Sequence, residues 1–181
     1  MSILAVYADS QLQVPIKVLT HLEDILPILT SAGVSLKTVG ESIPDSRTIT
    51  ATQAIEVSGE LLATMGVELS QEFAEVLELK GPPGYVEAAA DQQHTEQMLA
   101  GDSFWLFLDG AATLCMHHDG RLLVLGCRRG DLLELPEGMA HWLVPVTARH
   151  CLIVRIGRYK GALSAGPTGD DIASRYPVLE L

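Results

Sequence analysis

The sequence is short of the features that mark several large classes of protein. It has only 12 lysine and arginine residues against 23 aspartate and glutamate residues, which gives a formal net charge of −11. Such a chain repels the phosphates of nucleic acids and the headgroups of anionic membranes, so we expect it to bind neither. It also lacks any apolar run near the ~18 residues that a membrane span needs. A small anionic substrate stays compatible with this charge, since one local arginine can outweigh a distant field.

Cysteine is scarce as well. The three cysteines, Cys115, Cys127 and Cys151, lie in apolar settings and form no CxxC pair. An odd number of scattered cysteines predicts buried thiols in a reducing compartment rather than disulfides or a thiolate zinc site. The N-terminal segment carries no basic residue before Asp9. We therefore expect no signal peptide and a cytoplasmic protein.

The residues that are present indicate a folded chain with a well-formed core. Apolar residues make up 48% of the 181 residues and the mean hydropathy is +0.24, which is typical of a globular protein. A chain of this length is also typical of one domain. We expect a single domain over 1–181, with helices and edge strands in 1–84, a β-barrel core that carries the site in 85–160, and a tail in 161–181.

Two helices are predicted in the first half of the chain. Apolar residues recur at helical spacing over about 21–32 and about 50–65. Thr20 and Glu23 have the spacing of an N-terminal capping box for the first of these helices. The stretch 85–102 has mixed signals, and we predict a short helix followed by a loop there.

Strand signals dominate from Ser103 onward. Six apolar runs follow one another with turn signals between them, and they read SFWLFLDG, ATLCMH, RLLVLGC, DLLELP, HWLVPV and CLIVRIG. Many short strands at this spacing predict a sandwich or a small barrel. We also expect weaker strands over 3–7, 34–39 and 73–79, and a short helix near the C-terminus. The predicted fold class is therefore α+β, mainly β.

The stretch Gly130–Trp142 (GDLLELPEGMAHW) predicts a strand, a tight turn and a second strand. Pro136 presets φ for the turn, and Gly138 can take the position with φ > 0. The second strand then presents His141. An imidazole held on a rigid β scaffold is a natural metal ligand. The alternative is a hairpin with a core histidine beside a tryptophan.

The spacing G-x5-P-x-G-x2-H within this stretch resembles the second signature motif of the cupin superfamily. The chain as a whole is similar to acireductone dioxygenases of the bacterial methionine-salvage type, most visibly in the segments KVLTHLEDI, FLDGAATLCMH, GDLLELPEGMAHW, IVRIG and TGDDIASRYP. The resemblance implies a monomeric, cytoplasmic cupin: a jelly-roll β-barrel with N-terminal helices packed outside and a short C-terminal helix. It also implies iron(II) or nickel(II) on three histidines and one glutamate, and cleavage of an enediol ketone by O2.

The sequence departs from the family pattern in the first metal-binding segment, QHTEQMLAGDSFWLFLDG. His94 and His141 match the family's first and last histidine ligands, whereas Glu96 replaces its second histidine. Ser103 stands at the position of the glutamate ligand, and Trp105 stands where the family has an arginine. Replacing a cation by a bulky aromatic residue removes charge stabilisation beside an anionic substrate and fills volume.

These residues can still form a metal site. His94, Glu96 and His141 provide two imidazoles and one carboxylate, which is the ligand set of the facial triad of non-haem iron(II) oxygenases. Asp102 is a further carboxylate that can replace or join Glu96. Ser103 is a poor ligand for iron, but its hydroxyl can hydrogen-bond a bound water or the substrate.

Several other side chains have an expected place relative to this site. The substrate pocket is predicted to be lined by aromatic residues, namely Trp105, Phe107 and Trp142. Arg155 is retained from the family pattern, and we expect it either to bind an anionic group of the substrate or to form a structural salt bridge. His117 and His118 directly precede a hairpin turn, so we expect them to be exposed turn residues rather than ligands.

Three functions are compatible with these residues. The first is a metal-dependent dioxygenase that acts with O2 on a small oxygenated substrate, which need not be the acireductone. The second is a non-catalytic, metal-free cupin that serves as a small-molecule binding or accessory protein. The third is a cupin lyase or isomerase that uses the metal without O2. Metal content separates the second function from the others, and oxygen consumption separates the first from the third.

Overall fold

The computed structural model describes residues 2–39, 43, 49–79, 95–145 and 150–176. Strands account for most of the regular structure in these ranges: β1 (Ile3–Ala8), β2 (Lys17–Leu19), β3 (Ser35–Thr38), β4 (Ala74–Leu79), β5 (Gln97–Leu99), β6 (Ser103–Asp109), β7 (Ala111–His118), β8 (Arg121–Arg128), β9 (Asp131–Leu135), β10 (Ala140–Pro145), β11 (Cys151–Gly157) and β12 (Ala165–Pro167). The helices are α1 (Leu22–Ser31), α2 (Ala51–Thr64) and α3 (Ile172–Arg175), with a short 3-10 helix at Gln71–Phe73. Across the described ranges, none of the helices is long and apolar enough to span a membrane.

The strands form two antiparallel sheets. One has seven strands in the order β12-β5-β10-β7-β8-β1-β2, and the other has five strands in the order β3-β9-β6-β11-β4. The sheets share one core of buried side chains, to which β7 contributes Met116 and β6 contributes Phe107. This arrangement confirms the predicted mainly β, cupin-type fold, although within the described residues the two sheets stay separate rather than closing into one continuous barrel.

Strand β6 shows why its sequence is apolar at almost every position. Trp105 and Phe107 belong to the core between the sheets, whereas Phe104 and Leu106 belong to a second core that includes side chains of α2. A strand that is buried on both faces reads as a continuous apolar run rather than as an alternating pattern. Helix α2 therefore covers the outer face of the five-stranded sheet.

The C-terminal segment covers the outer face of the seven-stranded sheet. The ring of Tyr176 lies 6.4 Å from Trp142 of β10 and 5.5 Å from Tyr7 of β1, measured between centroids. Ile172 of α3 is fully buried in the same core. The tail predicted over 161–181 is thus part of the packed structure as far as residue 176.

The three cysteines are buried, free thiols, which confirms their predicted state. Burial raises the pKa of Cys151 to about 12, and the nearby charge of Asp109 adds to the effect. Because the thiolate is the reactive form, such a thiol is chemically inert at neutral pH.

Both N-terminal helices form where the sequence predicts them, but only the second has a capping box. Helix α2 begins after Thr50, whose side chain accepts a hydrogen bond from Gln53 N, while the Gln53 side chain accepts one from Thr50 N. Helix α1 begins after His21, which makes no side-chain cap bond. The capping box predicted from Thr20 and Glu23 is wrong, because α1 starts one residue later than that spacing requires.

Three short strands, β2, β5 and β12, lie where the sequence predicts none. Strand β5 falls within the stretch predicted as a loop, and β12 pairs with it through three residues of each strand. A strand this short offers too few positions for an alternating pattern to be recognised. The part of the predicted helix that runs up to residue 94 lies outside the described residues.

Candidate functional site

His141 is the residue around which the site between the sheets is built. It lies on β10, opposite Met116 of β7 and Gln97 of β5, and it is 1% exposed. Its Nδ1 lies 2.7 Å from the carbonyl oxygen of Met139. Its Nε2 is buried and has no hydrogen-bond partner among the described residues.

These contacts define the chemical state of the ring. A carbonyl oxygen can only accept a hydrogen bond, so Nδ1 of His141 carries the proton and donates it to Met139, which leaves a lone pair on Nε2. Burial lowers the pKa of His141 from 6.5 to about 4; the bond to Met139 opposes this shift and the charge of Arg155 adds to it. A neutral imidazole oriented by a carbonyl through Nδ1 is the form that binds a metal ion through Nε2.

Acidification should destabilise the metal-free protein, because the folded state keeps His141 neutral. The unfolded chain takes up a proton as the pH falls through 6.5, whereas the folded chain does so only near pH 4. The free energy of unfolding is therefore unaffected by this group above about pH 6.5. It decreases by up to about 3 kcal/mol as the pH falls from 6.5 to about 4. Urea unfolding of the chelator-treated protein across the window measures the loss, which should be smaller in His141→Gln. Equal losses in the two proteins would contradict the prediction.

Trp105 packs directly against the His141 ring and fixes two further side chains. The centroids of the two rings lie 5.2 Å apart at an interplanar angle of 84°. The indole Nε1 donates a hydrogen bond to Ser103 Oγ at 2.9 Å, and the guanidinium carbon of Arg155 lies 4.9 Å from the indole centroid. Trp105 thus fills space beside His141 and engages the Ser103 hydroxyl that the sequence assigns to a water or substrate.

Arg155 forms a salt bridge with Glu75, its cross-strand neighbour on β4. The arginine side chain is 9% exposed and that of Glu75 is 41% exposed. Burial lowers the pKa of Arg155, while the charge of Glu75 and the hydrogen bond to it raise the pKa. Of the two roles predicted for Arg155, the structural salt bridge is therefore present. The Nε–H of its guanidinium remains buried without an acceptor among the described residues.

Glu96 does not lie with His141. The neighbouring residue, Gln97, is opposite His141 in the sheet, whereas Glu96 contacts side chains on the outer face of the seven-stranded sheet. Its Oε1 lies 3.1 Å from His117 Nδ1, and its Oε2 accepts a hydrogen bond from Thr168. Successive side chains of an extended segment point to opposite faces, which explains the separation.

Asp102, the other predicted carboxylate ligand, also has its partners elsewhere. Its Oδ1 accepts a hydrogen bond from Glu137 N at 2.8 Å, and its Oδ2 lies 3.5 Å from Arg158 Nε. Within the described ranges, no group of three histidine, cysteine or carboxylate ligands includes His141. His94 lies outside those ranges.

Trp142 alternates with His141 along β10 and therefore faces outward. Its ring packs against Tyr176 in the core that the C-terminal segment covers. Of the three aromatic residues predicted to line the pocket, Trp105 and Phe107 belong to the core between the sheets and Trp142 does not.

His117 is not the exposed turn residue that the sequence predicts. It is part of β7, opposite Ala140, and its side chain is 19% exposed. Its Nδ1 faces Glu96 at 3.1 Å and its Nε2 lies 3.8 Å from Asp9 Oδ2. The alternation of β7 is the signal that could have found it, because that alternation puts His117 on the same face as the buried Cys115.

Comparison with known proteins identifies the family. No protein-family model matches the chain. An acireductone dioxygenase of Pseudomonas paraeruginosa (strain DSM 24068 / PA7) is 30% identical over 185 aligned positions, which cover 99% of each chain. The chain belongs to the acireductone dioxygenase family. Another relative of that name, from Pseudomonas aeruginosa (strain UCBPP-PA14), is 29% identical with the same coverage.

A solved structure of the same family supports the fold independently of the sequence. It is the acireductone dioxygenase from Bacillus anthracis with a cadmium ion in its active centre, and it superimposes with a TM-score of 0.68. The match covers 92% of this chain and 98% of that chain at 14% sequence identity. At this identity the likeness establishes the cupin-type fold and nothing finer.

Proposed function

We propose that this member of the acireductone dioxygenase family is a metal-dependent enzyme of the dioxygenase type. It cleaves a small enediol or related oxygenated substrate with O2, as a cytoplasmic monomer, and it does so with an altered set of metal ligands. The state of His141 carries the proposal, because its Nδ1 is fixed by Met139 O at 2.7 Å and its Nε2 is buried without a partner in the described part of the chain. The name shared by the full-length relatives supports the reaction type.

His141 and His94 are the residues that would hold the metal. The observed state of His141 fits a divalent ion such as iron(II) or nickel(II), since imidazole is a common ligand for both. His94 enters through the family pattern alone. Glu96 and Asp102 are left out of the proposed ligand set, because Glu96 contacts His117 on the opposite face of the sheet from His141 and Asp102 contacts Glu137 and Arg158. When bound, a divalent ion polarises the oxygen atoms of a chelating substrate and supports the activation of O2.

The other residues of the site position groups and exclude water. Met139 O orients the His141 ring. Trp105 packs on that ring and leaves little room for water beside it. Arg155, although paired with Glu75, lies over the Trp105 ring and keeps a buried Nε–H without a partner among the described residues, which can donate to an anionic group of the substrate.

The position of Trp105 favours a substrate other than the acireductone. Where the family pattern has an arginine, this chain places an indole whose N–H is engaged by Ser103. The indole offers no positive charge to an enediolate and occupies more of the space beside His141 than an extended guanidinium would. We therefore infer a smaller or less highly charged substrate than the acireductone.

A metal-free binding protein is the second candidate, and one observation favours it. Within the described ranges, no group of three potential metal ligands includes His141. A buried neutral histidine packed on a tryptophan is also a stable core element without any metal. Under this reading the pocket holds a small molecule but drives no oxygen chemistry.

Metal content decides between the two candidates. Iron, nickel and other divalent ions are measured by elemental analysis in the wild type, in His141→Gln and in His150→Gln, purified without chelators. His150 is the matched control, because its ring is 41% exposed and pairs with Glu78 on the surface. We expect His141→Gln to lose one ion per chain and His150→Gln to lose none. A wild type without metal would establish the metal-free reading, and unchanged metal in His141→Gln would refute the assigned site.

Oxygen uptake tests the reaction itself. Metal-loaded wild type is mixed with a panel of enediols of different size and charge in an oxygen electrode. We expect uptake that disappears in His141→Gln and is retained in His150→Gln. Substrate turnover without oxygen uptake would instead identify a lyase or an isomerase.

A further inference from the structure

We propose that Glu96, His117 and Asp170 form a second divalent-cation site on the outer face of the seven-stranded sheet. One potential ligand atom from each residue lies within 4.8 Å of the others. The site is separate from the one at His141, since it lies on the opposite face of β10 and β7. It serves to fasten the C-terminal segment to the sheet. It does not depend on the proposed dioxygenase function.

The buried carboxylate of Glu96 is the strongest reason for a cation here. Glu96 is 1% exposed, and an ionised carboxylate at such a position is costly unless a cation or several hydrogen bonds compensate it. The described structure provides His117 Nδ1 at 3.1 Å and the hydroxyl of Thr168. An ion held between Glu96, His117 and Asp170, whose potential ligand atoms all lie within 4.8 Å of one another, would compensate the carboxylate directly.

The surroundings of His117 are strongly acidic. Its imidazole lies between Glu96 at 3.1 Å and Asp9 at 3.8 Å, and Asp170 lies in the same group. Arg175 brings a positive charge close to this group. Its guanidinium lies 3.6 Å from the Asp170 carboxylate and 2.7 Å from the Asp171 carboxylate. Three carboxylates around one imidazole create a negative potential that attracts a divalent ion.

The backbone holds the third ligand, Asp170, in a defined position. Strand β12 pairs with β5 and leads directly into Thr168, whose Oγ1 accepts a hydrogen bond from Asp170 N at 3.1 Å. Asp170 Oδ1 in turn accepts a hydrogen bond from Ile172 N at 2.8 Å. These contacts orient the carboxylate before any ion binds, which lowers the entropic cost of assembling the site.

The ligand types select the class of ion. One imidazole and two carboxylates suit manganese(II) or zinc, and zinc bonds to such ligands are about 2.0–2.2 Å long. Ligand atoms around one ion therefore lie about 3–4 Å apart, and the atoms of this group all lie within 4.8 Å of one another. Asp170 is at the edge of the group and 41% exposed, so an ion can enter from solvent.

Cobalt(II) is a suitable probe, because its visible absorption reports nitrogen and oxygen coordination directly. Chelator-stripped protein is titrated with cobalt(II), and the number of bound ions is measured by calorimetry and elemental analysis. The variants are His117→Gln and Asp170→Asn, with Asp171→Asn as the matched control. The Asp171 side chain binds Arg175 and lies outside the group.

We expect His117→Gln and Asp170→Asn each to lose one cobalt ion per chain or to weaken its binding at least about tenfold. Asp171→Asn should bind as the wild type does. If cobalt binding and the spectra are unchanged in both His117→Gln and Asp170→Asn, the proposal is overturned. The three side chains would then be held together by hydrogen bonds alone. Circular dichroism shows whether His117→Gln is folded. If that variant is unfolded, Asp170→Asn still tests the site, because the substitution is isosteric and the residue is half-exposed.

The same titration distinguishes this proposal from the proposed function. His141→Gln should lose the ion between the sheets and keep the outer one, so that its cobalt spectrum still changes with His117→Gln. If His141→Gln alone removes all binding, the outer site is refuted and the dioxygenase site stands. If only the cluster variants remove binding, the outer site stands and the metal at His141 is refuted.

Discussion

Replacing Gly110 with alanine should unfold the protein or bring it close to unfolding. Gly110 joins β6 of one sheet to β7 of the other at φ +66, and a Cβ placed there would lie 1.7 Å from the carbonyl oxygen of His150. That oxygen belongs to the backbone at the start of β11, so no side-chain rotation can remove the overlap. We expect a loss of at least about 4 kcal/mol, which is a large part of the stability of a typical domain. Thermal and urea unfolding measure it.

Gly138→Ala is the matched control for this prediction. Gly138 also has a positive φ, at +72, but a Cβ there meets no atom within 4 Å. The control therefore isolates the cost of the left-handed backbone, which is about 1–2 kcal/mol. The difference between the two variants is the cost of the collision with β11. Losses of similar size would show that the connection between the sheets can move aside.

The positions of most β-strands could be predicted from the sequence because a strand buried on both faces is apolar at nearly every position. Runs such as SFWLFLD are apolar throughout, and the turns between them carry glycines that adopt positive φ, as at Gly110 and Gly138. Local spacing was less reliable for helix caps: it placed a capping box at Thr20 and Glu23, whereas the structure has one at Thr50 and Gln53. Short strands such as β5 and β12 could not be predicted, because their pairing with each other depends on contacts between distant segments.

The site was harder to predict than the fold, for a geometric reason. His141 could be identified because it is the histidine of the G-x5-P-x-G-x2-H motif, but the strand period was not applied to its neighbour Trp142, which faces the other way. Glu96 was assigned to the same site because it stands in place of the family's second histidine, but a position in a motif does not say which face of the sheet the segment presents. In the structure Glu96 lies against His117, a residue contributed by another strand. Sequence reasoning lacked the register that joins β5, β10 and β7.

Replacing Trp105 with alanine should cost about 3–5 kcal/mol, the range for deleting a buried tryptophan side chain. Trp105 is fully buried, and its removal also leaves the Ser103 hydroxyl and the Arg155 guanidinium without the indole that contacts both. Because the cavity would open beside the His141 ring, we expect metal and small enediols to reach that ring more readily. Urea unfolding measures the stability, and cobalt titration measures access to His141.

Trp142→Ala separates the loss of packing from the effect on the site. Trp142 is also almost fully buried, at 1% exposure, but its ring packs against Tyr176 on the outer face of the sheet. Both variants should therefore lose stability to a similar degree, while only Trp105→Ala changes the cobalt affinity that His141→Gln abolishes. If Trp142→Ala changes the cobalt affinity by the same amount, the effect of Trp105→Ala comes from the loss of stability and not from the contact between Trp105 and His141. If Trp105→Ala alone binds cobalt more tightly, the indole is the element that restricts access of a metal ion to His141.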